Sequence, residues 1–324
     1  MSESAQQTPA HLLDIDDRTP AQLLALLDLA SILKRGQEVT PLTGRTLALL
    51  FEQPSTRTRA SFEAGINRLG GSAMFLGPED TQLARGEPIR DTARALSQYV
   101  DVVAIRVDDH DDLVEFATYA DIPVINALSD RAHPCQALAD ILTIREHVGT
   151  FDETTAVWIG DGNNVAASFT LAAAAVGIDT HVITPPGYEL SPEVLERASA
   201  LGSPPAVTNE VPPSVDHADV VYTDTWVSMN EEDTQLDRAE KVADFDGFQV
   251  NERLLHSSDA SVMHCLPAHR GEEVTDAVLE GDRSLVWEQA ANRLFVQNAV
   301  MLSLLNDDAT DLTAQQTLPI GRAL

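Results

Sequence analysis

Lysine and positive charge are scarce in this sequence. The chain of 324 residues has 51 Asp and Glu against 21 Lys and Arg, a formal net charge of −30 at pH 7, and its lysines are Lys34 and Lys241. Such a surface repels nucleic-acid backbones and anionic membranes, so we expect neither as a partner. Two explanations stay open: a protein adapted to concentrated salt, which screens the repulsion, or an ordinary acidic cytosolic protein.

Cysteine is also scarce, since Cys135 and Cys265 are the two that the chain contains. Two distant cysteines do not form a disulfide scaffold, and they lack the paired spacing of a zinc site. We therefore expect no structural metal. The sequence also lacks a run of about 20 apolar residues that would cross a membrane, and its first residues do not resemble a secretory signal. These absences predict a cytoplasmic protein.

Short apolar, β-branched runs alternate with longer helical patterns along the chain. This alternation predicts an α/β fold of two domains, each a parallel sheet flanked by helices, because the length exceeds what one core usually supports. The segment GTFDET, residues 149–154, is a plausible boundary. The predicted strands are TLALLF at 46, DVVAIRV at 101, IPVIN at 122, TAVWIG at 155, THVIT at 180, DVVYTD at 219 and ASVMHC at 260.

The segment FEQPSTRTRASF, residues 51–62, follows the first of these strands. Ser55 is a good N-cap, so a helix is expected to begin here. The free N–H groups of its first turn, its positive dipole end and its hydroxyl and guanidinium groups suit a phosphate. The alternative is an ordinary capped helix whose arginines pair with Glu52 and Glu63. The side chains concerned are Ser55, Thr56, Arg57, Thr58 and Arg59.

The segment HPCQ, residues 133–136, stands at the mouth of another predicted helix. Pro134 suits a first-turn position, and His133 with Gln136 has the donors needed to polarise one carbonyl group. Arg106 ends a predicted strand, where a cation points into the crevice at the carboxyl edge of a sheet. The alternatives are a hydrogen-bonded structural histidine and a surface arginine with a partner.

The segment WIGDGNNV, residues 158–165, partly matches a dinucleotide-binding turn. Val165 replaces its third glycine, and the next strand ends at Thr184 without the acidic residue that holds a ribose. We therefore expect no nicotinamide cofactor. Asn163 and Asn164 suit either the polar end of an amino acid or the capping of a helix.

The segment from Asp224 to Asp237 contains no Arg, Lys or His. It suits a substrate that carries an amino group and repels a dicarboxylate; the alternative, a solvated acidic loop, explains Glu231 to Asp233 better than it explains Asp224. Two further features follow: HCLP at 264–267, and Arg293 near the start of a late apolar helix. Cys265 is either a buried structural thiol or a substrate contact.

Taken together, STRTR at 55, HPCQ at 133, DGNN at 161, DTWVSM at 224, HCLP at 264 and Arg293 resemble the ornithine carbamoyltransferase family. The resemblance extends from about residue 10 to 305. It implies a carbamoyl phosphate-binding domain at 1–147, on which a C-terminal helix of residues 293–324 packs, and an ornithine-binding domain at 148–292. It also implies carbamoyl transfer from carbamoyl phosphate to L-ornithine without a cofactor.

The resemblance assigns roles to particular positions. Gln82 matches a position that reaches into a neighbouring subunit, which implies a homotrimer. The carbamoyl phosphate-binding positions implied are Ser55, Thr56, Arg57, Thr58, Gln82, Arg106, His133, Pro134, Cys135, Gln136, Cys265, Leu266 and Arg293. The catalytic group among them is Arg57, Arg106, His133, Gln136, Cys265 and Arg293, and the ornithine-binding positions are Asn164, Asp224, Ser228 and Met229.

One position departs from the pattern, because Asn230 follows Ser228-Met229 where the family commonly has glycine. Asparagine tolerates left-handed backbone angles better than other side chains, so we expect the loop to keep its function. Three alternatives to ornithine carbamoyl transfer stay open. They are a carbamoyltransferase for putrescine, N-acetylornithine or aspartate, a non-catalytic sensor of such ligands, and a dinucleotide-dependent oxidoreductase.

Overall fold

The computed structural model describes residues 10–36, 41–212, 215–227 and 235–306. Within these ranges the chain contacts define two compact units. The first contains residues 10–13, 21–127 and 294–306, and the second contains residues 14–20 and 128–293. The division near residue 147 that we expected stays a prediction. Of the C-terminal helix expected at 293–324, residues 294–306 belong to the first unit, and residues 307–324 lie outside the described residues.

The first unit is built around a four-stranded sheet with the order β2-β1-β3-β4. β1 pairs in parallel with both β2 and β3. Its core lies between the sheet and the helices, where Leu50 and Ile105 pack with Leu113 and Phe116. The strands are β1 (Thr46–Phe51), β2 (Ser72–Leu76), β3 (Val102–Arg106) and β4 (Val124–Leu128), and the helices are α1 (Pro20–Lys34), α2 (Thr56–Arg68), α3 (Ile89–Leu96) and α4 (His110–Tyr119).

The second unit contains a five-stranded parallel sheet with the order β7-β6-β5-β8-β9. Its strands are β5 (Thr155–Ile159), β6 (Asp179–Ile183), β7 (Ala206–Thr208), β8 (Val220–Thr223) and β9 (Ser261–His264). The helices that follow in the chain are α5 (Pro134–Val148), α6 (Asn164–Val176), α7 (Pro192–Leu201), α8 (Gln235–Asp244), α9 (Asp276–Leu279) and α10 (Val286–Leu305). Residues of α10 from 294 onwards belong to the first unit.

The seven predicted strands are confirmed, and so is the architecture of two parallel sheets flanked by helices. The sequence did not indicate β2 and β7. Both are edge strands, and neither has a continuous buried run, because the side chains of β2 alternate between exposed and half-buried and those of β7 are all exposed. An edge strand that packs one face or none lacks the apolar signal of a central parallel strand. Among the described helices, none is both long and apolar enough to span a bilayer.

Candidate active site

The turn between β1 and α2 forms the polar end of the first sheet. Ser55 is the N-cap of α2, and its Oγ accepts a hydrogen bond from the N–H of Thr58 at 3.4 Å. The first N–H groups of a helix have no partner within the helix and carry its positive dipole end. The predicted helix start is therefore confirmed. Thr58 is buried in the first turn, whereas Thr56 is exposed.

The two arginines of this turn have different surroundings. Arg59 donates from Nε to Glu63 at 2.8 Å, and its guanidinium lies 3.9 Å from the centre of the Phe75 ring. Arg57 is half-buried and makes no ion pair or hydrogen bond within the described residues. Arg59 thus follows the structural alternative raised by the sequence, while the Arg57 cation stays available to an anion.

Arg106 lies at the same edge of the first sheet as this turn. It is the last residue of β3 and lies in register with Phe51, the last residue of β1. Its carbonyl oxygen accepts from the N–H of Glu52 at 2.9 Å. The carboxyl ends of parallel strands are where α/β sheets bind ligands. Gln82 occupies a separate place on an exposed loop, just before a short 3-10 helix at Leu83–Arg85.

The HPCQ segment begins α5 of the second unit, with Pro134 in the first turn as predicted. The N–H of His133 donates to Ser168 Oγ in α6 at 2.8 Å, which fixes the start of this helix. His133 and Gln136 are both buried. Cys135 is fully buried, and this burial raises the pKa of its thiol to about 12. Its side chain is therefore a neutral part of the core.

Gln136 connects two distant parts of the chain. Its Oε1 accepts from Arg293 Nη1 at 2.8 Å, and its Nε2 donates to Asp140 Oδ1 at 2.8 Å. Arg293 is 4% exposed and Gln136 is 1% exposed, so this contact forms away from bulk water. Two expected site residues are therefore brought together inside the second unit, although one stands in α5 and the other in α10.

A second group of polar side chains lies at the carboxyl edge of the second sheet. Asp224 follows β8, and its Oδ1 accepts from the Cys265 thiol at 2.9 Å. Its Oδ2 accepts from Asn163 Nδ2 at 3.0 Å. Burial, and then the negative charge of Asp224, raise the pKa of the Cys265 thiol well above its usual range. Cys265 therefore acts as a neutral hydrogen-bond donor.

Asparagine side chains organise the turn that precedes α6. Asn163 Oδ1 caps the helix by accepting from the N–H groups of Val165 and Ala166, both at 3.0 Å. Asn164 Nδ2 donates to the carbonyl oxygen of Ser129 at 2.6 Å. A side chain on Gly162 would lie 2.6 Å from the backbone of Leu190 and Tyr188, so glycine is required there. Capping thus explains Asn163, which also holds Asp224.

The HCLP loop has a constrained backbone. Leu266 has φ +61°, which is costly for a residue with a Cβ, and its N–H donates to His264 Nδ1 at 2.9 Å. His264 Nε2 lies 3.1 Å from Glu273 Oε1, and both side chains are fully buried. The buried His264–Glu273 pair therefore supports Leu266 and, through it, the loop that carries Cys265.

Among the described residues, two groups of side chains lie close enough to share a metal ion: Asp224, His264 and Cys265, and His269, Glu272 and Glu273. In the first group the thiol already donates to the carboxylate, and both ring nitrogens of His264 have hydrogen-bond partners. In the second group Glu272 pairs with Arg238 at 2.7 Å, and this cation opposes a metal. We assign a metal to neither group, and the expected absence of a structural metal stays a prediction.

Comparison with known proteins identifies the family. Residues 10–146 match the model of the carbamoyl-P binding domain of aspartate/ornithine carbamoyltransferase, and residues 152–304 match the model of its Asp/Orn binding domain. The chain belongs to the aspartate/ornithine carbamoyltransferase family.

Individual members of this family are similar over nearly their whole length. A protein of Haloquadratum walsbyi named ornithine carbamoyltransferase is 56% identical over 299 residues, which cover 92% of this chain and 99% of that protein. The solved ornithine carbamoyltransferase of Pyrococcus furiosus is 44% identical with a TM-score of 0.85, covering 92% of this chain and 97% of that one. The Thermus thermophilus structure is 42% identical with a TM-score of 0.83, covering 92% and 99%.

In this carbamoyltransferase chain the motif residues fall into three described groups. Ser55, Thr56, Arg57 and Arg106 lie at the carboxyl edge of the first sheet. His133, Pro134, Cys135, Gln136 and Arg293 lie around the start of α5, and Asn164, Asp224, Cys265 and Leu266 follow strands of the second sheet. Ser228, Met229 and Asn230 lie outside the described residues.

Sequence reasoning missed several buried residues that contact the candidate site residues. Asp140 accepts from Gln136 and Gln289, and Glu273 holds His264. A signal for Asp140 was present, since a carboxylate within the apolar ALADIL segment, four positions after Gln136, shares a helix face with it. Gln289 gave no comparable signal, because its partners lie far from it in the sequence.

Proposed function

We propose that the protein is an ornithine carbamoyltransferase, which transfers the carbamoyl group of carbamoyl phosphate to the δ-amino group of L-ornithine and releases citrulline and phosphate. The choice of ornithine as the acceptor rests on the surroundings of Asp224. This carboxylate is 7% exposed, is held by the neutral donors Asn163 and Cys265, and forms no ion pair within the described residues. A substrate amino group is its fitting partner.

The first unit supplies the phosphate contacts in this proposal. Ser55, Thr56, Arg57 and Thr58 hold the phosphate through the first-turn N–H groups, the hydroxyls and the Arg57 guanidinium. The support is the capped helix start and the absence of an ion pair for Arg57 within the described part of the chain. Carbamoyl phosphate is a dianion, so a fixed cation beside a helix N-terminus matches its charge.

The remaining assignments follow the family motifs. Arg106, His133 and Gln136 bind the carbamoyl end, with Pro134 and Cys135 shaping the helix start. Cys265, Leu266 and Arg293 close around the reacting group. Asn164, Asp224, Ser228 and Met229 bind ornithine. Two hydrogen bonds between motifs support the assignments in the second unit. Arg293 donates to Gln136 of HPCQ, and Cys265 of HCLP donates to Asp224.

The chemistry then depends on where charge develops. The neutral δ-amine attacks the carbamoyl carbon, negative charge grows on the carbonyl oxygen and on the departing phosphate, and the fixed donors and cations stabilise both. The amine must first lose a proton, and a free alkyl ammonium has a pKa of about 10.4. Turnover is therefore expected to rise from pH 6 towards pH 9, and a flat profile would contradict the mechanism.

The test is a direct comparison of amine acceptors at high salt. Purified protein is incubated with carbamoyl phosphate and ornithine, putrescine, N-acetylornithine or aspartate, and the carbamoylated product is quantified. We expect ornithine to give the highest kcat/KM, because Asp224 disfavours a second carboxylate and the motif pattern matches ornithine. A higher value for another amine would assign the protein to that substrate, and no transfer to any of them would leave a binding role.

The proposal extends to assembly and location. We propose a homotrimer, because Gln82 lies on an exposed loop of the single chain and matches a position that reaches a neighbouring subunit. We also propose a cytoplasmic enzyme that works in concentrated salt, in keeping with the net charge of −30. Light scattering on the purified protein gives the subunit number, and a monomer with full activity would refute the role of Gln82.

A further inference from the structure

Asp140 is a fully buried carboxylate at the meeting point of several elements of the second unit. It stands in α5 and accepts three hydrogen bonds from neutral groups. Gln136 Nε2 donates to Oδ1 at 2.8 Å, Gln289 Nε2 of α10 donates to Oδ1 at 2.7 Å, and the hydroxyl of Tyr222 in β8 donates to Oδ2 at 3.0 Å. None of the residues within the described ranges forms an ion pair with it. A buried carboxylate is costly, so its presence calls for an explanation.

The carboxylate fixes the direction of two amide side chains. An ionised carboxylate only accepts hydrogen bonds, so Gln136 and Gln289 must both present their NH₂ groups to it. Their carbonyl oxygens then point the opposite way. Gln136 Oε1 accepts from Arg293 Nη1 at 2.8 Å, and Gln289 Oε1 accepts from the N–H of His264 at 2.9 Å. One group thereby governs both the HPCQ segment and the start of the HCLP loop.

We propose that Asp140 is a positioning residue for carbamoyl transfer, which orients Arg293 through Gln136 and the His264–Cys265 backbone through Gln289. This inference rests on the proposed function, since it concerns the same reaction. Asp140 itself does not touch the reacting atoms. Its effect is to hold groups that stabilise the transition state in a single arrangement, and a displacement of about 1 Å in such groups costs about 10²-fold in rate.

Another hydrogen bond between α5 and α10 serves as a control, because it involves neither Gln136 nor Gln289. One turn further along α5, Thr143 Oγ1 accepts from Asn292 Nδ2 of α10 at 2.9 Å. This hydrogen bond joins the same two helices and is also buried, yet Thr143 bonds to no motif residue. Thr143→Val therefore removes a comparable interhelical bond without releasing either glutamine.

The first experiment compares kcat for citrulline formation in wild type, Asp140→Ala, Asp140→Asn and Thr143→Val. We expect Asp140→Ala to lose about 10²-fold, and Asp140→Asn to stay within about tenfold, since its Oδ1 still accepts from both glutamines. Thr143→Val is expected to match wild type. A near-normal kcat for Asp140→Ala, or an equal loss in Thr143→Val, would overturn the inference. Citrulline formation by wild type in the same assay separates this failure from failure of the proposed function.

A pH profile gives a readout that a purely structural role does not move. Burial raises the pKa of Asp140 to about 7, so at pH 6 most wild-type molecules carry a carboxylic acid that no longer dictates the amide directions. Asparagine does not titrate. Tyr222 and Cys265 also face Asp140, but burial raises the pKa of both groups well above their usual ranges, so they stay neutral from pH 6 to pH 8, and Arg293 stays charged. We expect the kcat ratio of Asp140→Asn to wild type to be higher at pH 6 than at pH 8. An unchanged ratio would overturn the inference even if Asp140→Ala does not fold.

Discussion

The turn at residues 55–58 and the network around Asp140 achieve order by different means. In the turn, the contacts join neighbouring residues. Ser55 caps α2 by accepting a hydrogen bond from the N–H of Thr58, and Arg57 is positioned by the first turn of this helix. Around Asp140, the contacts join α5 to α10 and β8, with Gln289 and Arg293 about 150 positions from their partners in α5. Local geometry therefore builds the proposed anion site, and long-range packing builds the network around Asp140.

The two regions also differ in how function and stability are coupled. Arg57 makes no ion pair or hydrogen bond among the described residues, so the fold does not depend on its charge. Asp140 is fully buried and holds three partners, so its loss affects both packing and orientation. Arg57, the proposed ligand-binding residue, has no ion pair or hydrogen bond in the described part of the chain. Asp140, the proposed positioning residue, accepts three hydrogen bonds. The following predictions test this contrast.

The largest effect is expected from Arg57→Ala. The proposed phosphate contact is lost, and turnover falls by about 10²- to 10³-fold, because a fixed charge that stabilises the leaving group is removed. The melting temperature stays near that of wild type, since no contact within the described residues depends on Arg57. Citrulline formation and thermal unfolding are measured on the same sample.

Arg59→Ala is the matched control for Arg57→Ala, two positions along the same helix. It removes the exposed pair with Glu63 and the contact with Phe75, so a loss of well under 1 kcal/mol in unfolding free energy and little change in turnover are expected. Equal losses of turnover in the two variants would remove the distinction between these arginines.

Asp224→Asn is expected to lower kcat/KM for ornithine by about 10- to 100-fold, since a charge-assisted hydrogen bond contributes about 1.5–3 kcal/mol. The KM for carbamoyl phosphate should change little. Asp244→Asn serves as the control, because Asp244 is an exposed carboxylate bonded to the Tyr188 hydroxyl at 2.9 Å. A specific role for Asp224 would be refuted if both variants had the same ornithine kinetics.

Asp140→Asn is expected to flatten the pH dependence of stability. Burial raises the pKa of Asp140 from 3.8 to about 7 in the folded protein, so the folded state binds the proton more tightly than the unfolded state. The resulting stabilisation is present below about pH 4 and is lost as the pH rises to about 7, by up to a few kcal/mol. Denaturant unfolding of wild type and variant at pH 5 and pH 8 measures it. A wild-type advantage that does not shrink with rising pH would contradict this assignment.

The smallest effect concerns the surface that surrounds both regions. With a net charge of −30, lowering the salt from about 3 M to about 0.1 M lengthens the screening distance from under 3 Å to about 10 Å and strengthens repulsion. We expect the melting temperature to fall, while the pH window of the Asp140 effect stays in place because that group is buried. A melting temperature insensitive to salt would favour the ordinary acidic protein.

Much of the fold could be predicted from the sequence because central parallel strands carry a strong local signal. The runs at β1, β3, β5 and β8 are apolar and largely buried, and they were found. The edge strands β2 and β7 were missed because they pack too little surface to be apolar. The helix starts at Ser55 and Asn163 were also readable, since capping depends on residues within one turn, and Pro134 in the first turn indicated the start at His133.

By itself the sequence determined the alternation of strands and helices, the capped turn that presents Arg57, and the acidic surface. Only the tertiary structure determined the pairing of distant residues. Arg293 donates to Gln136, Cys265 donates to Asp224, and Asp140 accepts from Gln136 and Gln289. The physical reason is the separation in sequence between the residues that interact. Caps and turns are fixed by bonds between residues three or four positions apart, whereas the direction of a buried side chain depends on which distant helix or strand packs against it.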